Sequence, residues 1–512
     1  MSCYITGGDN LDSFSKVLKD HICRMDIKIQ NLSFASGVDR SLIQKMIKGD
    51  RVPANKDVLE RIILALMLTP RQATELRNLY HIARIGEDVY QRHLLVKDVL
   101  ESFGLIPYQK ESIIKSNYLH TLENDPDNSI FYGAHEINLL LKTVIEMEAN
   151  KENALLKLIV QPDFPFMIEH LAIMGSTYNT MMIEHIFCLQ ESIKEKDDNR
   201  YNLICIKNIA PLITSGCSYT PYIYYDDVPS HINSTSIFPY MIITSTHVVT
   251  ISYDFTQAVL YQDSNFLKLY SNVYNRIKLC TIELIEKLPT PMDTFNYFNR
   301  LENPTNKVVR KSELYFTMFT QPCLIFFITK AIIYKYILDV PYKEELATML
   351  SRRSENYLEK IKGGYDYTTY FTMEGVKDFW ETGRIREIPD EFYTPLDLKD
   401  RYYLLNMLYE ISLNYNYNSL LVNSNKLQLT NNLVVSAMDD SSISLIYRQP
   451  GREATSFTLK EKSLTYSFFR FFEYLKCSDC DFILPQNKTL ELLKEQLDNY
   501  KKELMSARNT DA

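Results

Sequence analysis

The chain has 512 residues, which is too long for one hydrophobic core, so several domains are expected. Its 46% hydrophobic and 23% charged residues are ordinary for a soluble globular protein and exclude a disordered or fibrous chain. The net charge of -8 disfavours nucleic-acid binding by the chain as a whole. Residues 28–61, however, hold 7 basic and 4 acidic side chains, a local balance of +3. A nucleic-acid partner is therefore expected only near the N-terminus.

The nine cysteines are widely scattered and mostly lie in apolar surroundings, which is typical of reduced thiols rather than a disulfide framework. The first ten residues lack the basic and apolar regions of a signal peptide. The most apolar segment, Leu324 to Ile333, is interrupted by Thr329 and Lys330 and is too short to span a bilayer. These features predict a cytoplasmic protein that does not interact with a membrane.

The stretch Ile29 to Arg51 has the pattern of two short helices joined by a tight turn. Gly37 stands at the turn, where a positive φ is often needed. Asp39 follows as a candidate N-cap of the second helix. The apolar positions that would join the two helices are Leu32, Val38, Ile43 and Met46.

Helices are also predicted on both sides of this pair. Residues 11–25 and Val58 to Leu68 have apolar positions at helical spacing. Thr69 and Pro70 are an N-cap and a first-turn proline, which predict a fifth helix as far as Ile85. With these helices, the sequence GVDRSLIQKMIKGDRVP resembles the lambda-repressor-like (XRE-type) helix-turn-helix family over roughly residues 11–80.

The resemblance implies a head that binds double-stranded DNA as a homodimer. Carried onto this sequence, the family's usual base-contacting positions are Arg40, Ser41, Gln44 and Lys45. Its phosphate-contacting positions fall on Lys48 and Arg51. Ile29 replaces the glutamine that commonly opens the first helix of the motif, with Lys28 or Gln30 as substitutes for its phosphate contact. Helix-turn-helix geometry also serves as plain packing in all-α domains, and that alternative stays open.

The expected fold class is multidomain α+β, with an all-α five-helix DNA-binding domain before a large mixed α/β body. The expected ranges are 1–86 for the DNA-binding domain and 87–103 for a linker helix. Two α/β body units would follow at 104–300 and 301–483, and an amphipathic helix and tail at 484–512. This C-terminal helix has a heptad pattern of apolar residues, which suits either dimerisation or packing on the body: Leu490, Leu493, Leu497, Tyr500, Leu504.

The body contains two similar series of predicted elements. Residues 201–279 and 401–476 each run as helix, strand, two strands joined by a turn, strand and helix, at an offset near 190–200 residues. Ser245-Thr246 and Asp439-Asp440 supply the two turns. The series indicates a duplicated α/β unit, although this order of elements is common enough to arise by coincidence. Between the two series, Lys311 to Leu338 and Glu344 to Ile361 are predicted to be helical.

A duplicated α/β body also resembles the layout of phospholipase-D-like folds. The catalytic motif of that fold is His-x-Lys with an aspartate five residues beyond the lysine. No body histidine has a lysine two residues later, so the resemblance is one of layout without the chemistry.

Other motifs for chemistry are missing or weak. The chain has no GxxxxGK[ST], GxGxxG or HExxH sequence, so no cofactor and no metal are expected. Cys477 and Cys480 form a lone CxxC pair without nearby histidines, which favours structural thiols over a zinc or redox site. One aromatic segment suits either a ligand pocket or core packing between subdomains: Tyr367, Tyr370, Phe371 and Trp380.

We therefore expect a bacterial or phage-type transcriptional regulator that is not an enzyme. The head would bind operator DNA, and the body would hold the dimer and sense a small molecule or peptide. One alternative is an enzyme carried to DNA by its head, for which a polar cluster with perturbed pKa values in a body cleft would be evidence. A second alternative is a protein-interaction module with a DNA-targeting head.

Overall fold

The computed structural model describes residues 8–104, 130–191, 200–226, 237–288 and 314–510, with short gaps at 341, 440–441, 449–453, 460 and 478–479, and part of 290–297. It divides into two compact units. The first comprises residues 1–97 and Arg470–Asp481, and the second comprises Asp98–Phe469 and Phe482–Ala512. The fold is multidomain α+β with two mixed sheets, as the sequence predicted.

The first unit is built from short amphipathic helices around one apolar core. Their buried side chains include Phe14, Leu32, Ile43, Leu59 and Leu76. Thr69 and Gln72 form a capping box with Pro70 in the first helical turn, which confirms the predicted start of the fifth helix. The helices are α1 Gly8–Arg24, α2 Ile29–Ser36, α3 Arg40–Ile47, α4 Lys56–Ala65, α5 Pro70–Ile85 and, as far as Lys97, α6 Glu87–Ser102.

A segment from far along the chain, Arg470–Asp481, completes this unit. The Tyr474 hydroxyl lies 3.2 Å from His81 Nδ1, and its ring stacks on His93 at 4.7 Å between centroids. The carboxylate of Asp481 forms an ion pair with Lys56 and lies 3.8 Å from His81 Nε2. The sequence alone places this segment in the second body unit, because these long-range contacts have no local sequence signal.

The first sheet of the second unit has a parallel half and an antiparallel half. Its strand order is β1-β7-β6-β5-β2-β3-β4-β8, in which β2, β3 and β4 are parallel. The strands are β1 Ile130–Tyr132, β2 Leu155–Ile159, β3 Met182–Gln190, β4 Ser218–Asp226, β5 Tyr240–Ile243, β6 Val248–Ile251, β7 Gln257–Tyr261 and β8 Ile282–Glu283. The helices that accompany them are α7 Ala134–Ala149, α8 Pro165–Thr177, α9 Arg200–Ser215 and α10 Ser264–Lys278.

The second sheet has the order β12-β11-β10-β13-β14-β15-β9, with β10, β11 and β12 parallel. Its strands are β9 Ile285–Leu288, β10 Leu314–Met318, β11 Asp366–Phe371, β12 Tyr417–Leu421, β13 Leu433–Asp439, β14 Ser442–Tyr447 and β15 Ala454–Leu459. The associated helices are α11 Lys330–Tyr336, α12 Lys343–Lys362, α13 Met373–Thr382, α14 Leu398–Asn414, α15 Lys462–Leu475 and α16 Gln486–Thr510.

Seven strands of each sheet occupy the same places in the same chain order. The series β1-β7-β6-β5-β2-β3-β4 in the first sheet corresponds to β9-β15-β14-β13-β10-β11-β12 in the second, with the same parallel and antiparallel pairings. The body therefore contains the α/β unit twice, and coincidence of helix and strand order is not needed to explain the repeat. The Ser245-Thr246 turn joins β5 to β6 as predicted, whereas Asp440 of the other predicted turn lies outside the described residues.

The prediction that Lys311 to Leu338 is helical was wrong over most of its length. Its first described part is β10, which lies inside the second sheet between β11 and β13. Only Lys330–Tyr336 is α-helical, preceded by the 3-10 turn Ile325–Phe327. A strand buried on both faces has a continuous apolar run, which is hard to distinguish from a buried helix by its periodicity.

The C-terminal helix α16 packs on its own body, one of the two arrangements that its heptad pattern allowed. Leu493, Leu497 and Tyr500 join the core of the second sheet. The Tyr500 ring stacks on Trp380 at 4.1 Å, and the Trp380 indole N–H donates to Glu503 at 2.8 Å. The apolar positions of the heptad are therefore used within the chain rather than in a coiled coil.

Helix α13 starts unusually close to the loop that follows β10. A Cβ on Gly375 would lie 1.9 Å from the carbonyl oxygen of Thr320. We expect Gly375→Ala to lower the free energy of unfolding by more than about 2 kcal/mol, because the backbone carbonyl cannot move aside. Gly104→Ala is the matched control, since its Cβ would be no closer than 3.3 Å to any atom. Urea unfolding of both variants measures the difference, and equal losses would contradict the close approach.

The pKa of Asp481 makes the stability of the first unit depend on pH. Burial raises this pKa, but hydrogen bonds and charge from His81 and Lys56 lower it by a larger amount. The pKa of Asp481 therefore lies well below its usual range. A lowered carboxyl pKa stabilises the fold above the unfolded-state value, and the contribution disappears as pH falls through the folded-state value. We expect Asp481→Asn to be less stable than wild type from pH 7 down to pH about 4. The difference should shrink only in stronger acid.

Chemical unfolding followed by circular dichroism at several pH values measures this effect. Asp88→Asn is the control, because Asp88 is exposed in α6. If the two variants lose the same stability at pH 7, the Asp481 contacts do not hold this segment in the unit.

Candidate nucleic-acid interface

The turn between α2 and α3 has the local structure that the sequence predicted. Gly37 ends α2 in the left-handed region, at φ +63°. The Ser33 hydroxyl donates to the Val38 carbonyl at 2.7 Å, and the Arg61 guanidinium donates to the Gly37 carbonyl at 3.3 Å. These contacts fix the direction in which α3 leaves the turn.

Asp39 caps α3 as expected. Its carboxylate accepts from the backbone N–H groups of Ser41 at 2.7 Å and Leu42 at 3.3 Å. The Ser41 hydroxyl donates to the same oxygen, and this bond, followed by the two backbone bonds, lowers the pKa of Asp39. Ser41, predicted to contact bases, therefore has its hydroxyl proton engaged in the cap.

The outer face of α3 carries the other predicted base-contacting residues. Arg40, Gln44 and Lys45 are exposed, while Ile43 and Met46 on the inner face are completely buried. This alternation gives one apolar and one polar side over the eight residues of the helix. The three exposed side chains are therefore available to a partner.

The predicted phosphate-contacting residues are also exposed: Lys28, Gln30, Lys48 and Arg51. Ile29, which replaces the usual glutamine, is half-buried and packs against the core of the unit. It therefore has a packing role and leaves the proposed backbone contact to Lys28 and Gln30, which flank it.

The aromatic residues considered for a ligand pocket lie in the core. Tyr367, Tyr370, Phe371 and Trp380 are each at most 6% exposed. The first three belong to β11, and Trp380 lies in α13 against Tyr500. This placement agrees with the alternative that they are core aromatics between subdomains.

A dipeptide that the sequence patterns did not indicate is repeated after corresponding strands of the two sheets. Gln161-Pro162 follows β2, and Gln321-Pro322 follows β10, the corresponding strand of the second sheet. Both glutamines are at most 3% exposed. An offset of 190–200 residues does not align the two dipeptides, because β2 and β3 are much closer in sequence than β10 and β11.

Cys477 is exposed and Cys480 is buried, and neither belongs to a cluster suited to a metal. Among the described residues, no group of three or more His, Cys, Asp or Glu side chains is arranged to hold a metal ion. In the same part of the chain, no helix has the length and apolar character needed to cross a membrane.

Comparison with known proteins gives little further information. No family model matches the chain, and no curated protein matches it. Among solved structures, the chain is similar to the crystal structure of phosphatidylserine synthase from Haemophilus influenzae Rd KW20. The match has 9% sequence identity, covers 77% of this chain and 98% of the other, and has a TM-score of 0.24.

The matching structure is that of an enzyme and not of a transcriptional regulator. The prediction of a transcriptional regulator and the prediction that the chain is not an enzyme are therefore corrected and not retained. A TM-score of 0.24 is too low for the match to assign a fold or a reaction to this chain.

Proposed function

We propose that the N-terminal unit binds double-stranded DNA and carries the duplicated body to it. The body would then supply the activity, as an enzyme or as a module that binds another protein. This proposal keeps the DNA-targeting head of the two alternatives and makes no claim of transcriptional regulation.

One observation carries the proposal: the exposed face of α3 is polar and basic, while its opposite face is buried in the core of the unit. Arg40 and Lys45 lie on this face, and Lys48 and Arg51 follow directly after it. The acidic side chains in this stretch are Asp39, which is engaged in the helix cap, and Asp50. The surface therefore has an excess of positive charge, which DNA phosphates attract.

The side chains on this face also suit base recognition. Arginine and lysine donate to guanine, and glutamine can pair with adenine in the major groove. A single helix of this length reaches only a few base pairs, so a homodimer with two heads would read a longer site. In such a dimer the two half-sites would be about one DNA turn apart.

Selection from random double-stranded DNA tests base recognition directly. We expect the wild-type protein to enrich one sequence, and Arg40→Ala/Lys45→Ala to lose preference at the positions that these side chains contact. Each lost contact should cost about 1–3 kcal/mol of discrimination. Both residues are exposed, so the double variant should fold normally, which circular dichroism checks.

Arg71→Ala is the control for general loss of positive charge, because Arg71 is exposed on α5. It should keep the wild-type sequence preference. If the wild-type protein enriches no sequence, the proposal that the head recognises bases is wrong. If the double variant enriches the same site as well as wild type does, α3 is not the recognition helix.

The salt dependence of binding tests the phosphate contacts separately. We expect Lys48→Ala to weaken binding to all duplex sequences alike, because phosphates carry no sequence information. The slope of log affinity against log salt should fall by about 0.9 for one lost contact. Fluorescence anisotropy with a labelled duplex measures this slope, again with Arg71→Ala as the control. An unchanged slope would place Lys48 away from the DNA backbone.

A further inference from the structure

One extended segment joins the two sheets of the body. Its first part, β8, pairs with β4 at the edge of the first sheet, and its second part, β9, pairs with β15 at the edge of the second sheet. Only Leu284 separates β8 from β9. Both pairings are antiparallel, so the carboxyl ends of β4 and β15 both extend toward the beginning of this segment. The two repeated α/β units therefore meet at the carboxyl ends of these two strands.

A cavity of about 530 Å³, the junction cavity, lies at this meeting point inside the second unit. Pockets for drug-sized ligands measure about 300–1,000 Å³ and occur preferentially between structural units, so both the size and the place of the cavity suit a small molecule. Its apolar walls come from both sheets and from α15. They are formed by side chains that are each at most 4% exposed: Leu189, Ile223, Ile285, Leu459 and Leu464.

The charged side chains that line the junction cavity are mostly acidic. The carboxylates are those of Glu283, Glu286 and Glu461. Lys287 also lines the cavity, but its ammonium donates to the Ser218 hydroxyl at 2.6 Å, which holds it at the start of β4. Tyr225, another lining residue, lies seven residues further along β4, about 23 Å away in an extended strand. The positive charge of Lys287 is therefore held away from the Tyr225 end of the cavity.

Glu461 follows the carboxyl end of β15 and lines the same end of the cavity as Tyr225. Its carboxylate accepts from the backbone N–H groups of Ser463 at 3.1 Å and Leu464 at 2.8 Å, and also from the Ser463 hydroxyl. These bonds fix the carboxylate at the start of α15. The N–H groups at a helix start can bind an anion, but here Glu461 already occupies them. An anionic ligand would therefore meet a carboxylate at this end of the cavity.

The edge strand β8 supplies a second carboxylate and an exposed apolar side chain. Glu283 lies opposite Tyr222 in the β4–β8 pairing and is exposed. Among the described residues, no lysine, arginine or histidine forms an ion pair with Glu283. Its neighbour Ile282 also lines the cavity and is 61% exposed. The mouth of the cavity therefore offers apolar surface and negative charge side by side.

We propose that the junction cavity binds an amphipathic organic cation, with its hydrocarbon part against the apolar walls and its ammonium group beside Glu283 and Glu461. Burial of the hydrocarbon supplies most of the affinity, because each methylene removed from water contributes about 0.8 kcal/mol, or about fourfold in affinity. The carboxylates select the sign of the charge, and the Tyr225 ring offers an aromatic face to the ammonium group. This ligand class goes beyond the proposed DNA binding, which involves only the N-terminal unit.

Three probes of equal chain length test the choice of charge on the full chain: hexylammonium, hexan-1-ol and hexanoate. Saturation-transfer NMR titrations at constant ionic strength measure their affinities. We expect hexylammonium to bind most tightly and hexanoate most weakly. Glu283→Gln should weaken hexylammonium binding by about threefold, the size of an ion pair at an exposed position, and leave hexan-1-ol binding unchanged. Glu152→Gln is the matched control, because Glu152 is an exposed carboxylate before β2 that does not line the cavity.

A pair of exposed apolar residues tests the place of binding. Ile282→Ser should weaken the binding of hexylammonium and hexan-1-ol alike, because it removes apolar surface at the mouth of the cavity. Leu279→Ser is the control, since Leu279 is 86% exposed and does not line the cavity, and it should bind both probes as wild type does.

Four results would each overturn the proposal. These are no binding of hexylammonium, hexanoate binding as tightly as hexylammonium, an unchanged hexylammonium affinity in Glu283→Gln, or equal effects of Ile282→Ser and Leu279→Ser. None of these results depends on DNA binding, because every varied residue lies outside the N-terminal unit.

Discussion

The arrangement of each sheet of the body depends on how its central strand, β2 or β10, is paired. Each has a parallel neighbour on one side and an antiparallel neighbour on the other. This arrangement brings the end of the central strand, the end of its parallel neighbour and the start of the antiparallel strand to the same edge of the sheet. Residues that are distant in sequence, such as Gln161 and Tyr240, meet there for this reason. The repeated strand order produces the same edge twice.

The two copies use this edge differently. In the second sheet, the side-chain amide of Gln321 forms hydrogen bonds to a loop through both its nitrogen and its oxygen, and desolvation raises the pKa of the half-buried Glu387. In the first sheet, the edge retains a cavity lined by Gln161 and Tyr240, and the Tyr240 ring stacks on Phe255. One copy thus fills this edge with a hydrogen-bonded loop, and the other copy retains a cavity there.

The N-terminal unit combines local and long-range interactions. Gly37 and Asp39 act within a few residues of their own positions, so their roles in the turn and cap were predictable. The exposure of Arg40 and Lys45 follows from the helical period that buries Ile43 and Met46. By contrast, the contacts of Asp481 with Lys56 and His81 join residues about four hundred positions apart. No pattern in either segment indicates the other.

The sequence by itself determined the turn and caps of the first unit, most helices and hairpins of the body, and the repeat of their order. These features depend on φ preferences, capping and periodicity, which act over a few residues. Only the tertiary structure decided that residues 314–318 form an interior strand, that the aromatic side chains around Trp380 belong to the core, and that Gln161 and Tyr240 line the same cavity. Burial on both faces removes the periodic signal of a strand, and strand pairing joins residues whose separation in sequence carries no information about their distance in space.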